Sequence, residues 1–167
     1  MPAGFPASQD ELARQVVDLL SSRGQTVATA ESLTGGLVAA AITSIAGSSA
    51  AFRGGMVAYA TELKAELLGV SPGLLAEHGP VHPAVAAAMA DGVRQRLGAT
   101  YGIATTGVAG PGPAGGQAQG TVYIAVAGPP GAAGERLDLA GDRAEVRTGS
   151  VRAVLSLLVS ALREELP

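Results

Sequence analysis

The feature that most restricts the fold is an alternation. Segments with a helical apolar repeat take turns with short strand-like runs, and the last two runs are joined by a tight turn. Ser8-Gln9-Asp10-Glu11 has capping-box spacing, with Leu12, Val16, Leu19 and Leu20 following at helical intervals up to Arg23-Gly24. Thr26 to Ala30 reads as a short buried strand, and Leu37, Val38, Ala41 and Ile42 read as an apolar helix that closes near Gly47. Glu31 to Thr34 is then a strand-to-helix turn. Met56 to Ala60 reads as a second strand, and Thr61 is placed to cap a helix that runs through Leu68 and stops at Gly69. Pro83 to Leu97 is an alanine-rich helix with proline near its first position, followed by a strand from Tyr101 to Thr106. A glycine loop leads to a strand at Thr121 to Ala127, a turn at Gly128-Pro129-Pro130-Gly131, and a further strand around Arg136 to Leu139. Asp142-Arg143-Ala144-Glu145 repeats the capping-box spacing before a final helix carried by Val151, Val154, Leu155, Leu158 and Leu162, with Gly149 a potential break in its first turns. This order predicts an α/β fold: a three-layer α/β/α sandwich around a mixed, mostly parallel sheet of about five strands. With no internal repeat or linker, residues 1–167 are expected to form one domain with one core.

Composition narrows the function. The chain has no cysteine, which excludes disulfides and thiolate chemistry. A net charge of -3 with three Tyr, two Phe and no Trp gives neither a basic field nor stacking platforms for nucleic acid. No apolar run reaches the roughly 18 residues that a membrane span needs, and the Met1-Pro2-Ala3-Gly4-Phe5 start lacks the features of a signal peptide. A cytoplasmic location is the expectation. Ten arginines stand against a single lysine, Lys64. Arginine cannot give up its proton in a protein whereas a desolvated lysine can, so Lys64 is either a chance surface residue or a base.

Four places could carry chemistry. Glu31-Ser32-Leu33-Thr34-Gly35-Gly36 sets two hydroxyls at the mouth of a helix whose N–H groups could hold a phosphate or an oxyanion, unless Ser32 or Thr34 simply caps that helix. Glu31 would orient either the turn or a substrate hydroxyl. Tyr59 and Lys64 lie five apart across a strand end and a helix start, where the helix dipole would lower the lysine pKa. Tyr59 could equally be a core tyrosine. A serine needs a neighbour to take its proton, and Ser32, Lys64 and Tyr59 form the best nucleophilic set available. The loop from Thr106 and Gly107 through Gly110 to Gly116 is neither a dinucleotide nor a P-loop fingerprint; it reads as a mobile ligand loop at a strand end or as a plain long turn. Arg143 and Arg147 are spaced to clamp a phosphate or to line a solvated helix face. His78 and His82 are separated by Gly79-Pro80, which prevents a helix from aligning them, so no metal site is expected.

Ordered motifs across nearly the whole chain carry a resemblance. They are Thr29-Ala30-Glu31-Ser32-Leu33-Thr34-Gly35-Gly36, Ala46-Gly47-Ser48-Ser49, Tyr59 to Lys64 with Leu67-Leu68-Gly69-Val70, His78-Gly79, Thr106-Gly107-Val108-Ala109-Gly110-Pro111, Gly120-Thr121-Val122-Tyr123 and Gly141-Asp142-Arg143. Together they resemble the nicotinamide-nucleotide amidohydrolases, the PncC proteins and the C-terminal domain of CinA. The resemblance implies hydrolysis of nicotinamide mononucleotide to nicotinic acid mononucleotide and ammonia in pyridine nucleotide salvage, without metal or other cofactor, by an α/β/α homodimer. It places the catalytic Ser, Tyr and Lys on Ser32, Tyr59 and Lys64, with the proton passing from serine to lysine, directly or through the tyrosine. Three positions depart from the family pattern. Thr61 stands where Asn is frequent, Gly79-Pro80-Val81-His82 replaces Gly-Ala-Val-Ser, and Gln117-Ala118-Gln119 replaces Lys-Pro-Val, which removes a loop lysine that bears on phosphate affinity. The alternatives are a non-catalytic nucleotide-binding regulatory module and an amidase acting on another carboxamide.

Overall fold

A computed structural model describes residues 7–164. Helix α1, Gln9–Ser22, opens with the expected capping box: the Ser8 N–H donates to Glu11 and the Glu11 N–H to the Ser8 hydroxyl. Its Leu12, Ala13, Val16, Val17 and Leu20 recur on one face and are all buried. Strand β1, Val27–Glu31, is buried at every residue, as a central strand covered on both faces must be. It leads to α2, Leu37–Thr43, a short 3₁₀ turn at Ser48–Ala50, and β2, Phe52–Val57.

The sheet order is β2-β1-β3-β4-β5, where β3 is Tyr101–Gly107, β4 Thr121–Gly128 and β5 Gly131–Asp138. β1 pairs in parallel with both β2 and β3, while β4 pairs antiparallel with β3 and β5, so four of the five strands run the same way. Helices cover both faces. Side chains of α1, α2 and α6 (Arg143–Glu164) build one core against Val27, Ile103, Val122, Ile124 and Val126. On the other face α3 (Thr61–Leu68), α4 (Pro72–His78) and α5 (Pro83–Leu97) pack on Ala28, Ala30, Ala104 and Ala125. These four sheet residues are small, and the helices come correspondingly close. A Cβ on Gly92 of α5 would lie 1.9 Å from the Leu68 carbonyl oxygen, and one on Gly102 of β3 1.9 Å from that of Ala90. The three-layer sandwich is therefore as the sequence predicts. No helix among the described residues is long and apolar enough to cross a membrane.

Several boundaries differ from expectation. β2 begins at Phe52 rather than Met56 and ends at Val57, because pairing with β1 imposes extension on Arg53-Gly54-Gly55, residues with little strand preference of their own. Tyr59 thus lies beyond the strand. Ala60, not Thr61, is the N-cap of α3, and it offers no side-chain cap. Helix α4 was not expected, although the Ser71 hydroxyl accepts the Leu74 N–H and Pro72 opens the helix. β5 starts at Gly131 rather than near Arg136, since β4 templates it residue by residue back to Gly128↔Gly131. α6 runs unbroken through Gly149, which faces Leu139. Its capping box forms: the Asp142 N–H donates to Glu145 and the Glu145 N–H to Asp142.

β1 leads leftward in the sheet to β2, and the chain then crosses the other face to β3 on the right. The carboxyl ends of β1 and β3 therefore flank the point where the topology reverses, which is where open α/β sheets place ligands.

Candidate active site

A cavity of about 280 Å³ opens at that point, near the lower end of the usual range for small-molecule sites. Ser32 and Leu33 from the end of β1, Tyr59 and Lys64 from the β2–α3 turn, and Thr106 and Gly107 from the end of β3 line it. Pro80 and Val81 close one side, Val108, Ala109, Ala114 and Gly115 of the glycine loop another, and Arg143 of α6 stands at the rim.

Lys64 is 1% exposed although it occupies the first turn of a helix. Its Nζ donates to the carbonyl oxygens of Ala58 at 2.7 Å and Tyr59 at 3.2 Å, and to Ser32 Oγ at 2.9 Å. Burial lowers its pKa from 10.5 to about 8, the larger effect, with the Glu62 charge acting the other way. The partner set has a chemical consequence. The two carbonyls can only accept, so when Lys64 loses a proton its two remaining N–H groups stay with them and its lone pair is left facing Ser32. A hydroxyl both donates and accepts, so this contact can reverse direction and make Lys64 the acceptor of the serine proton.

Tyr59 is placed differently from the expected relay. Its main-chain oxygen touches Lys64, but the residue is 61% exposed and its hydroxyl accepts from Arg143 Nη2 at 3.3 Å. Ser32 and Lys64 meet directly, and the tyrosine side chain stands at the mouth of the cavity.

The turn after β1 also departs from expectation. Glu31 is 1% exposed, and its carboxylate accepts the N–H groups of Gly36 (3.2 Å), Val38 (2.8 Å) and Ala39 (3.1 Å). Glu31 therefore caps α2 from within and faces away from the cavity. The α2 N-terminus, anticipated as an anion site, is already filled by this carboxylate, which also neutralises its dipole end. Gly35 and Gly36, at φ +59° and +107°, let the backbone wrap back far enough for Glu31 to reach. The Thr34 hydroxyl, fully buried, bonds Thr105 Oγ1 at 2.8 Å, so it too supports the turn without lining the cavity. One residue along β3, on the opposite face, Thr106 Oγ1 donates to the Pro80 carbonyl at 2.7 Å and fixes the cavity wall. Among the described residues, the N–H groups of Leu33 and Thr34 have no acceptor, and Leu33 lines the cavity.

The two arginines do not clamp together. Arg143 reaches the Gly110 carbonyl at 2.6 Å and Tyr59, while Arg147 turns to the carbonyls of Leu33 (3.0 Å) and Thr34 (3.5 Å) and braces the serine turn. The glycine loop is not an open tract either. Ala114 and Gln117 exchange backbone hydrogen bonds at 3.0 and 2.9 Å around Gly115-Gly116, and Val108 and Gly120 anchor its base. His82 caps α5 through Nδ1, and its ring stacks on His78 with centroids 4.0 Å apart. Among the described residues no group of three or more His, Cys, Asp or Glu could hold a metal ion. Sequence reasoning missed Thr105, and it marked Pro80 and Gln119 only as departures from the family pattern without their roles, because each acts on a residue distant along the chain or across a loop.

The CinA C-terminal domain family matches residues 9–162. A CinA-like protein of Frankia casuarinae is 53% identical over 154 residues, covering 92% of this chain and 36% of that protein. Another, of Anaeromyxobacter dehalogenans, is 46% identical over 162 residues, 95% of this chain and 39% of that protein. The chain thus spans little more than a third of these relatives. Among solved structures, a competence/damage inducible protein of Agrobacterium tumefaciens superposes with a TM-score of 0.89 at 38% identity, over 95% of this chain and 98% of that one. The competence damage-inducible protein A of Klebsiella pneumoniae gives 0.91 at 34% identity, over 94% and 98%. With its fold and nearly its whole described length matched in this way, the chain belongs to the CinA C-terminal domain family.

Proposed function

We propose that the chain hydrolyses the carboxamide of nicotinamide mononucleotide to the carboxylate and ammonia, with Ser32 as nucleophile and Lys64 as general base and acid. The observation that carries this reading is the 2.9 Å contact between Lys64 Nζ and Ser32 Oγ, with both other lysine partners restricted to accepting. In this reaction neutral Lys64 takes the hydroxyl proton as Ser32 Oγ attacks the amide carbon. The oxyanion is held by the N–H of Leu33, the residue after the nucleophile. Protonated Lys64 then gives its proton to the departing nitrogen, so ammonia leaves and an acyl-serine remains. Lys64, neutral again, deprotonates a water that attacks the acyl-serine; collapse of the intermediate returns the proton to Ser32 Oγ and releases the nicotinic acid nucleotide.

The pyridine carboxamide fits beside Ser32. Arg143 is the cation at the rim and takes the phosphate, with Tyr59 bearing on the ribose side through its hydroxyl. Arg147, held by two carbonyls, takes no part in binding. The same reading includes a homodimer, which sedimentation velocity checks.

The test is ammonia release from nicotinamide mononucleotide by the wild-type protein and by Ser32→Ala, with nicotinamide riboside as the substrate lacking phosphate. Turnover of the nucleotide that disappears in the variant supports the amidase. Tight nucleotide binding by folded wild-type protein with no ammonia released would instead make the chain a nucleotide-binding module, and release from other carboxamides alone would reassign the substrate.

A further inference from the structure

The glycine loop is held to the rest of the molecule by a side chain outside the cavity. Gln119 follows the loop and is half-buried. Its Oε1 accepts the Gly112 N–H at 2.7 Å, and its Nε2 donates to the Gly141 carbonyl at 3.1 Å. Gly141 lies two residues before Arg143, whose guanidinium returns to the same loop at the Gly110 carbonyl, 2.6 Å away. Loop and helix start are thus tied twice, once in each direction. The fit leaves no slack: a Cβ on Gly110 would lie 2.4 Å from Gln119 Cδ. The carboxamide accepts at one end and donates at the other, which is what bridging an N–H and a carbonyl requires.

We propose that Gln119 is a positioning residue for substrate specificity, setting the glycine loop and Arg143 in register so that the phosphate-bearing end of the substrate meets a preformed site. The inference rests on the amidase reading for its kinetic consequence and on the two hydrogen bonds for its structural one. Loop ordering is then complete before binding, and an unclipped loop must be ordered by the substrate at the expense of affinity. Chemistry at Ser32, which Gln119 does not touch, is unaffected.

Two measurements on Gln119→Leu and Gln119→Glu test it. In Gln119→Leu, KM for nicotinamide mononucleotide should rise about tenfold with kcat within twofold, while the kinetics on nicotinamide riboside stay as in the wild type. Gln119→Glu keeps the acceptor for Gly112 but not the donor to Gly141, and should fall between the two. Backbone hydrogen exchange at Gly112, followed without substrate, should quicken about tenfold in the leucine variant. Unchanged exchange and an unchanged KM in a folded Gln119→Leu protein would overturn the proposal, as would an equal loss on nucleotide and riboside. If the wild type releases no ammonia from either substrate, the amidase reading fails by itself. The exchange rates and calorimetric nucleotide affinities of the same variants then decide the role of Gln119.

Discussion

Glu31 and Lys64, buried at the turns that follow β1 and β2, are held in opposite ways. At the β1–α2 turn Glu31 is surrounded by three N–H donors, and at the β2–α3 turn Lys64 is surrounded by two carbonyls and a hydroxyl; each residue is 1% exposed. Both make hydrogen bonds that offset part of the cost of desolvation. The carboxylate's three partners can only donate, and its work is to hold the turn that carries Ser32. One of the ammonium's partners can exchange roles, and burial has brought its pKa down to about 8. Of the two, only the lysine has a partner that can pass it a proton, and it is the partner's chemistry that makes the difference.

The largest expected effect comes from removing either half of the exchangeable contact. Ser32→Ala and Lys64→Met should each lower ammonia release by about 10⁴-fold or more, and the double variant should be no worse than either alone, because the two act as one unit. A double variant much slower than both singles would break the comparison.

The pH dependence follows from the sign of the shift. The proposed reaction requires neutral Lys64, so kcat/KM should fall about tenfold per pH unit below about 8 and level off above it. A profile flat from pH 6 to 9 would remove Lys64 as the base. The lowered pKa also makes the folded state bind fewer protons than the unfolded chain between about 8 and 10.5, so this lysine's penalty on stability is full below pH 8 and is relieved as pH rises through that window. Urea unfolding of the wild type should therefore gain on that of Lys64→Met between pH 8 and 10, by up to about 3 kcal/mol.

Glu31→Gln keeps the volume but weakens the three N–H contacts. It should cost roughly 1–3 kcal/mol, lowering Tm by several degrees, and reduce kcat with little change in KM, since the serine turn loosens while the rim does not. A change in KM alone would mean that Glu31 meets substrate after all.

Smallest is Tyr59→Phe. With its hydroxyl bonded to Arg143 at the mouth and only its main chain on Lys64, loss of the hydroxyl should change kcat by about twofold at most. A loss near 10³-fold would restore the tyrosine to the proton path.

Local patterns made much of this visible beforehand. The capping boxes at Ser8 and Asp142 involve partners three residues apart, and the apolar face of α1 repeats every three to four residues, so both can be read from a short stretch of sequence. The lone lysine among ten arginines marks Lys64 for a chemical reason that depends on residue type alone. The start of β2 at Phe52 and of β5 at Gly131 could not be read this way, because the neighbouring strand imposes extension on glycine-rich segments. The role of Glu31 was also hidden: whether its carboxylate turns to the helix or to a ligand depends on the path of the backbone through Gly35 and Gly36.

By itself the sequence determined the alternation of helices and strands, the serine turn, and the choice of a titratable amine in place of a guanidinium, since each depends on residue type and short-range spacing. Tertiary structure alone decided that Lys64 and Ser32, 32 residues apart, meet at 2.9 Å, that Glu31 fills the α2 N-terminus, and that Arg143 rather than Arg147 reaches the rim. Each of these depends on how strands β1, β2 and β3 bring separate turns to one edge of the sheet, and a hydrogen bond formed there is set by angles and distances accumulated over the whole chain.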